Sequence, residues 1–495
     1  MEILNKGLLW ISTHYLGGIP VDRIATVVAV LLSYALAHVY RRVPVAGNGK
    51  YKHLYSIASS VVLFGLIQDQ CWGLVHLFGG ALVVYALMVA LRGRAMVAAV
   101  FLVAMLHMSY SQIRRQMAEA TATENGGYVA FDHTGAQMVF VIKVTSLAWC
   151  IDDGRQPSAQ LSAYQRKNAI AKMPTLLEFF GYVFFFPGLA VGPAFELATY
   201  RRMVHLDNIG AMRTQTLRAY RKLAEGFFWM AVYVVYGGRL TMPFMATDKF
   251  VATHPGYVSR VLYLCAAGVV TRAAYYTAWK MSEGACIVAG LGFDGSADRD
   301  AGRGADGGQA QWMDIANVHV RGVEVGTSLK QLIDGWNIGT NTWLRHHVYL
   351  RILQLRPKRG AAAATVITFL VSAWWHGFYP GYYLTFVLGA IASNAARTLR
   401  RSLNPLVALG PDTETPASAR KRAVKRMYDV AGWALSKYTL DFTTTPFMAL
   451  SLLASLRAWS SQYFAVPVGV LAVNVIFNVM GVGRLLRNRS HAKLS

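Results

Sequence analysis

The run Gly360-Ala361-Ala362-Ala363-Ala364-Thr365-Val366-Ile367-Thr368-Phe369-Leu370-Val371-Ser372-Ala373-Trp374-Trp375-His376 decides the fold class. It follows the basic residues Arg356, Lys358 and Arg359 and carries no ionisable group before its final histidine. Such a segment reads as a helix in a bilayer, where about 20 residues cross the hydrocarbon core. A helix starting near Gly360 puts His376 roughly 24 Å along it, at about 1.5 Å per residue. An ionisable side chain at that depth loses solvation and needs a partner or a chemical task. Histidine is also the side chain best suited to moving a proton near neutral pH.

Composition extends this reading to the whole chain. Of 495 residues, 54% are hydrophobic and 15% charged, and mean hydropathy is +0.33. A soluble protein carries about 25% charge, so this is a polytopic membrane protein. Lys and Arg number 49 against 25 Asp and Glu, a net charge of +24. The basic residues collect at the ends of apolar runs, where they anchor helices against anionic lipid or meet an anionic cosubstrate. That placement argues against nucleic-acid binding. Cys71, Cys150, Cys265 and Cys286 lie in or beside apolar segments at no metal-ligand spacing, so no disulfide framework or metal site is expected and all four read as packing residues. Residues 1–19 form a mixed amphipathic stretch with no short apolar core before a small-residue cleavage site. They read as a surface-lying segment rather than a cleavable signal.

Apolar runs fall at residues 24–40, 54–67, 72–91, 95–110, 138–150, 176–194, 227–236, 261–279, 285–293, 361–378, 382–396, 443–459 and 464–482. They predict an all-α integral membrane domain over residues 1–495 with about eleven transmembrane helices. The shorter runs predict broken or re-entrant helices, tolerated at membrane depth only when buried in protein or lining a cavity. No internal repeat is visible, which counts against a transporter of duplicated halves. Residues 294–309, rich in Gly, Ala and Asp, read as a flexible exposed loop. Residues 397–426 hold eight Lys or Arg and read as a basic cytosolic loop, although 411–426 could also cap a helix. With residues 351–359 also cytosolic, a water-soluble substrate would reach His376 only through a tunnel.

The second polar feature is Asn337, in Trp336-Asn337-Ile338-Gly339-Thr340-Asn341-Thr342-Trp343-Leu344-Arg345. This run, with Val348-Tyr349, Arg351, Ser372-Ala373-Trp374-Trp375-His376-Gly377 and Pro380-Gly381-Tyr382-Tyr383, resembles the membrane-bound O-acyltransferase (MBOAT) family. Within it the likeness is to the lysophospholipid acyltransferase branch, especially the broad-specificity fungal type. Supporting segments are 143–149, Leu177-Glu178-Phe179-Phe180-Gly181-Tyr182-Val183-Phe184-Phe185-Phe186-Pro187-Gly188, Val191-Gly192-Pro193-Ala194-Phe195, and Asn317-Val318-His319 to Val323-Glu324. The resemblance covers residues 107–383. The Phe-Tyr-x-Asp-Trp-Trp signature of the sterol and diacylglycerol branch is absent.

The resemblance implies a helical bundle around a central tunnel, in a multi-pass protein of the endoplasmic reticulum membrane. It implies transfer of a fatty acyl group from acyl-CoA, as cosubstrate, to the sn-2 hydroxyl of a lysophospholipid, with no bound cofactor or metal. It points to His376 and Asn337 as catalytic. Asn341, Trp336, Trp343, Arg345, Tyr349, Arg351, Trp374 and Trp375 are the substrate-binding candidates. The chemistry is consistent: a positioned base removes the hydroxyl proton, and a fixed amide donor stabilises charge developing on the thioester oxygen. No Ser or Cys stands beside His376 at a nucleophile elbow, which favours direct transfer over a covalent intermediate.

Plainer readings stand beside these. A histidine next to two tryptophans can be a packing residue, and Asn341 can bind a neighbouring helix instead of lining the donor path. The tryptophans read as packing walls or as stacking platforms. Arg345, Arg351 and Lys330 read as phosphate partners or lipid anchors, and His346 and His347 as interfacial. Glu324 reads as a structural ion-pair partner, and Glu178 and Lys143 as cavity residues or a mutual pair. Another acyl acceptor, or a lipid transporter, is the alternative function.

Overall fold

A polar backbone inside hydrocarbon has to satisfy its own hydrogen bonds, and a helix does so within one segment. The computed structural model describes residues 2–15, 20–125, 129–130, 132–205, 213–293, 315–355, 360–407 and 416–491, and among them every regular element is helical. The Gly-rich stretch 294–309 lies outside the described residues. The chain divides into two units: residues 1–229, 276–318 and 338–351, and residues 230–275, 319–337 and 352–495.

The first unit carries α1 (Val21–Tyr40), α2 (Cys71–Ala90), α3 (Gly93–Glu124) and α4 (Thr134–Asp153). Its core is aromatic, with Phe179, Tyr182, Phe184 and Phe185 fully buried. The run 176–194, expected as one crossing, is a short helix Leu176–Val183 and a 3-10 turn Phe186–Gly188. Pro187 has no N–H to continue the ladder. The freed carbonyls of Tyr182 and Val183 accept from buried Lys143 Nζ at 3.0 and 3.3 Å, while Glu178 pairs with Arg201 at 2.6 Å. Lys143 and Glu178 therefore serve different partners.

Helix α5 (Tyr257–Ala289) contributes to both units and merges two runs expected as separate, 261–279 and 285–293. Between them Lys280 pairs with Glu283 at 3.2 Å, three residues apart on one face. The pair neutralises itself, so the polar gap does not end the helix. Next come α6 (Val320–Val325) and α7 (Leu329–Gly335) in the second unit and α8 (Ile338–Trp343) in the first.

The second unit continues with α9 (Gly360–His376), α10 (Pro380–Val407), α11 (Pro416–Ala449), α12 (Leu452–Ser460) and α13 (Ala465–Val473). The described parts of the basic segment 397–426 continue α10 and open α11, so they are helix rather than loop. Arg, Lys and Ala are strong helix formers, and an exposed helix leaves their charges in water. The run 443–459 is also not one helix: Leu450 at φ 62° breaks it, and Ser451 caps α12 by accepting from Ala454 N–H at 3.2 Å. Trp459 of α12 folds back on Phe442 of α11, rings stacked at 5.6 Å and Nε1 donating to the Phe442 carbonyl at 3.1 Å. Both belong to the core that Met242, Phe250, Leu264 and Leu388 complete.

Helices α1 to α4 are each long and apolar enough to cross a membrane, and the pair α12 and α13, bent by 75°, would make a fifth. By that measure the described helices supply four or five of the about eleven crossings expected. The chain approaches itself closely at Gly381 of α10, whose N–H donates to the Leu450 carbonyl at 2.8 Å. A Cβ there would run into the Pro446 carbonyl. Gly381→Ala should therefore lower stability by about 1–3 kcal/mol through overpacking. Gly79→Ala, where a Cβ meets nothing within 4 Å, should leave the thermal midpoint of detergent-solubilised protein unchanged.

Candidate active site

His376 is the last residue of α9. Gly377 turns the chain at φ 129°, a conformation side chains rarely adopt, while its N–H closes the helix on the Ala373 and Trp374 carbonyls at 3.1 Å. Pro380 then opens α10 with the φ a helix start needs. The imidazole is thereby delivered into a box of rings. Trp375 meets it near-perpendicular at 4.6 Å between centroids, Phe447 of α11 edge-on at 4.9 Å, Phe386 of α10 stacked at 5.1 Å and Tyr382 at 5.9 Å. Among the described residues no hydrogen bond reaches its ring nitrogens.

Asn337 sits where the chain breaks between α7 and α8. Trp336 is extended, at φ −103° and ψ 132°, and Asn337 follows in the left-handed region at φ 44°. Asparagine is among the few non-glycine residues that accept this conformation. Within the second unit, His319 N–H donates to the Gly335 carbonyl at 2.9 Å, two residues before Asn337. Helix α7 also packs on α10 and α11, the helices that box His376. Trp336 meets Tyr275 edge-on at 5.5 Å, Trp375 is buried and Trp374 half-buried. Asn337, Trp336, Trp374, Trp375 and His376 thus share one unit.

The other candidates, Asn341, Trp343, Arg345, Tyr349 and Arg351, belong to the first unit. Trp343 is 1% exposed and donates from Nε1 to Thr145 Oγ1 at 2.9 Å, the contact of a packing wall. Asn341 and Tyr349 are half-buried, and Arg345 is exposed on a π-helical turn, Leu344–Tyr349. Arg351 is buried. It binds Asp153 with two guanidinium nitrogens, one at 2.8 Å, and lies 4.2 Å over the Trp149 ring. Lys330 is exposed and pairs with Asp334 four residues on, a contact of little energetic weight.

Three acidic residues hold more of this architecture than spacing reveals. Glu196 accepts from Tyr164 at 2.8 Å and contacts buried His347 Nε2 at 3.1 Å. Burial opposes its ionisation, but His347, with help from Tyr164 and Cys150, outweighs it and lowers its pKa. His346, half-buried, stacks on Tyr164 at 3.7 Å, so both histidines have partners within the first unit. Cys150, Glu196 and His347 are the described group whose ligand atoms all lie within 4.8 Å of one another, and hydrogen bonds already join Glu196 to the other two. Glu283 accepts from the N–H groups of Asn317 and Val318 at 2.7 and 3.2 Å. Glu324 on short α6 accepts from Arg272 at 2.7 Å and Lys437 at 2.6 Å. Burial raises its pKa, but these two cations more than reverse that and hold it at about 2.

A model of the MBOAT, membrane-bound O-acyltransferase family, matches residues 121–417. The chain is 33% identical to a lysophospholipid acyltransferase of Schizosaccharomyces pombe, over 93% of this chain and 87% of that protein. It is 30% identical to a lysophospholipid acyltransferase of Saccharomyces cerevisiae, over 92% of this chain and 74% of that one. A mouse membrane-bound glycerophospholipid O-acyltransferase 1 is 28% identical over 90% of this chain and 88% of its own length.

The burial of Arg351 separates scaffolding from ligand binding. Arg351→Gln should strand ionised Asp153 and destabilise the protein by about 3–5 kcal/mol. Adding Asp153→Asn should recover most of the thermal midpoint. A midpoint unmoved by the single change would return Arg351 to the ligand-contacting set.

Proposed function

The chain belongs to the MBOAT, membrane-bound O-acyltransferase family, and from that premise we propose that it esterifies lysophospholipids, taking the fatty acyl group from acyl-CoA. The acceptor reading is carried by the likeness to two yeast lysophospholipid acyltransferases along 93% and 92% of this chain. The sn-2 hydroxyl is the proposed site of esterification, and the endoplasmic reticulum membrane the proposed location of this multi-pass enzyme.

His376 acts as the base. Its imidazole takes the proton of the lysolipid hydroxyl as that oxygen attacks the thioester carbonyl carbon. Negative charge moves to the carbonyl oxygen, where the Asn337 amide donates a hydrogen bond. One such donor supplies about 3 kcal/mol in a site that excludes water. As the intermediate collapses, the C–S bond breaks and His376 returns the proton to the departing thiolate. The face of Phe386, stacked on His376 at 5.1 Å, attracts the imidazolium that exists between these steps. Transfer is direct, through a ternary complex. For the donor, Arg345 is the proposed phosphate partner, because it is exposed whereas Arg351 is bound to Asp153; Asn341 and Tyr349 on the same run complete the proposed contacts.

His376→Ala should leave less than a tenth of wild-type turnover on labelled acyl-CoA and lysophosphatidylcholine, with expression intact. Asn337→Gly is the sharper test of the amide, since glycine adopts φ 44° freely and removes only the side chain. It should lower kcat by about 10² to 10³-fold without lowering the thermal midpoint. A change confined to KM would make Asn337 a binding residue, and thiol release without phospholipid product would exclude the acceptor.

A further inference from the structure

Four charged side chains of the second unit stand outside this chemistry: Arg272 on α5, Glu324 on α6, and Lys437 and Asp441 on α11. Arg272 and Lys437 are buried and Asp441 is 0% exposed. The Glu324 carboxylate accepts from Arg272 Nε at 2.7 Å and Nη2 at 3.2 Å and from Lys437 Nζ at 2.6 Å. Arg272 Nη1 donates to Asp441 Oδ1. Two cations and two carboxyl groups close a cluster across three helices.

The cluster touches neither Asn337 nor His376, yet each of its arms leads to one of them. Helix α6 is latched to α11 twice, through the Glu324 carboxylate and through the Glu324 carbonyl, which accepts from Trp433 Nε1 at 2.8 Å. The residue before α6, His319, is bonded to Gly335, and Asn337 follows two residues later. On α5, Tyr275 lies three residues after Arg272, on the same helix face, and its ring meets Trp336, the neighbour of Asn337. On α11, the helix of Lys437 and Asp441, Phe447 stands edge-on to His376. We propose, resting on the acyl-transfer reading above, that Arg272, Glu324, Lys437 and Asp441 are positioning residues: they hold the segment carrying Asn337 in register with the helix that orients His376. Hydrophobic residues of similar volume generally fill a core at least as stably as a buried ionic cluster. What the cluster adds is a directional latch, because a guanidinium bound through Nε and Nη2 fixes angle as well as distance.

The test is steady-state kinetics on solubilised protein, with turnover normalised to folded enzyme. Glu324→Gln keeps the side chain's shape but removes the charge. It should lower kcat ten- to a hundredfold while the KM values for acyl-CoA and lysophosphatidylcholine stay within twofold. Glu324→Asp, which keeps the charge and shortens the reach, should fall between wild type and Gln. Wild-type kcat per folded molecule in Glu324→Gln, with only a lower thermal midpoint, would reduce the cluster to a stabilising role and overturn the proposal. Should that variant fail to fold, Trp433→Phe decides instead, since it deletes a single hydrogen bond at an exposed position: a three- to tenfold lower kcat supports the frame and an unchanged kcat overturns it. If the wild type makes no acylated phospholipid, the acceptor reading fails by itself, and thiol release from acyl-CoA in the same variants still decides the frame.

Discussion

A charge taken out of water must be given its counter-charge by the fold, and this requirement organises both units. Arg351 is matched by Asp153, Lys280 by Glu283, and Arg272 with Lys437 by Glu324 and Asp441. Lys143 uses the open carbonyls of a helix end instead. Leaving one member of such a pair alone costs far more than the pair contributes, so these contacts fix which helix faces may meet. Against that background His376 and Asn337 differ. Each is polar, each sits at a helix end or break, and neither has its polar side chain engaged by the described residues. That availability is what the proposed acyl transfer draws on.

Much of the fold was legible where one composition governs a whole element. The start of α9 falls where the run 361–378 places it, near Gly360, and its end at His376 comes two residues before the run ends. The run 176–194 has the length and composition of one crossing, and Pro187 breaks it after Val183. What could not be read depended on partners. Lys280 and Glu283 look like a boundary until their pairing makes them the middle of a helix. The split comes at Leu450, four residues after Pro446 and not at it, and the helicity of residues 397–407 and 416–426 is hidden by their charge.

The candidate site shows the same division. Asn337 and His376 stand out in sequence because each is polar in apolar surroundings and carried by a recognisable run. Their supports do not stand out. Phe447 reaches His376 from a helix far along the chain, and Asp153 reaches Arg351 from almost two hundred residues away. Arg351 and Arg345 look alike in one dimension, and only folding separates the buried one from the exposed one. No spacing rule predicts that Glu324 will meet both α5 and α11.

The position of His376 as the terminal residue of α9 has an electrostatic meaning of its own. The peptide dipoles of the 17 residues of α9 align, so the carbonyl end of the helix carries roughly half a negative charge. Surface helices lose most of that field to solvent, whereas an end facing aromatic rings keeps it. In the proposed reaction the imidazole is positive only between accepting the hydroxyl proton and releasing it, and at that moment the helix end is an anionic neighbour, worth up to about 2 kcal/mol in partly buried geometries. In that reaction the helix that carries the base also lowers the energy of the charge the base must briefly hold.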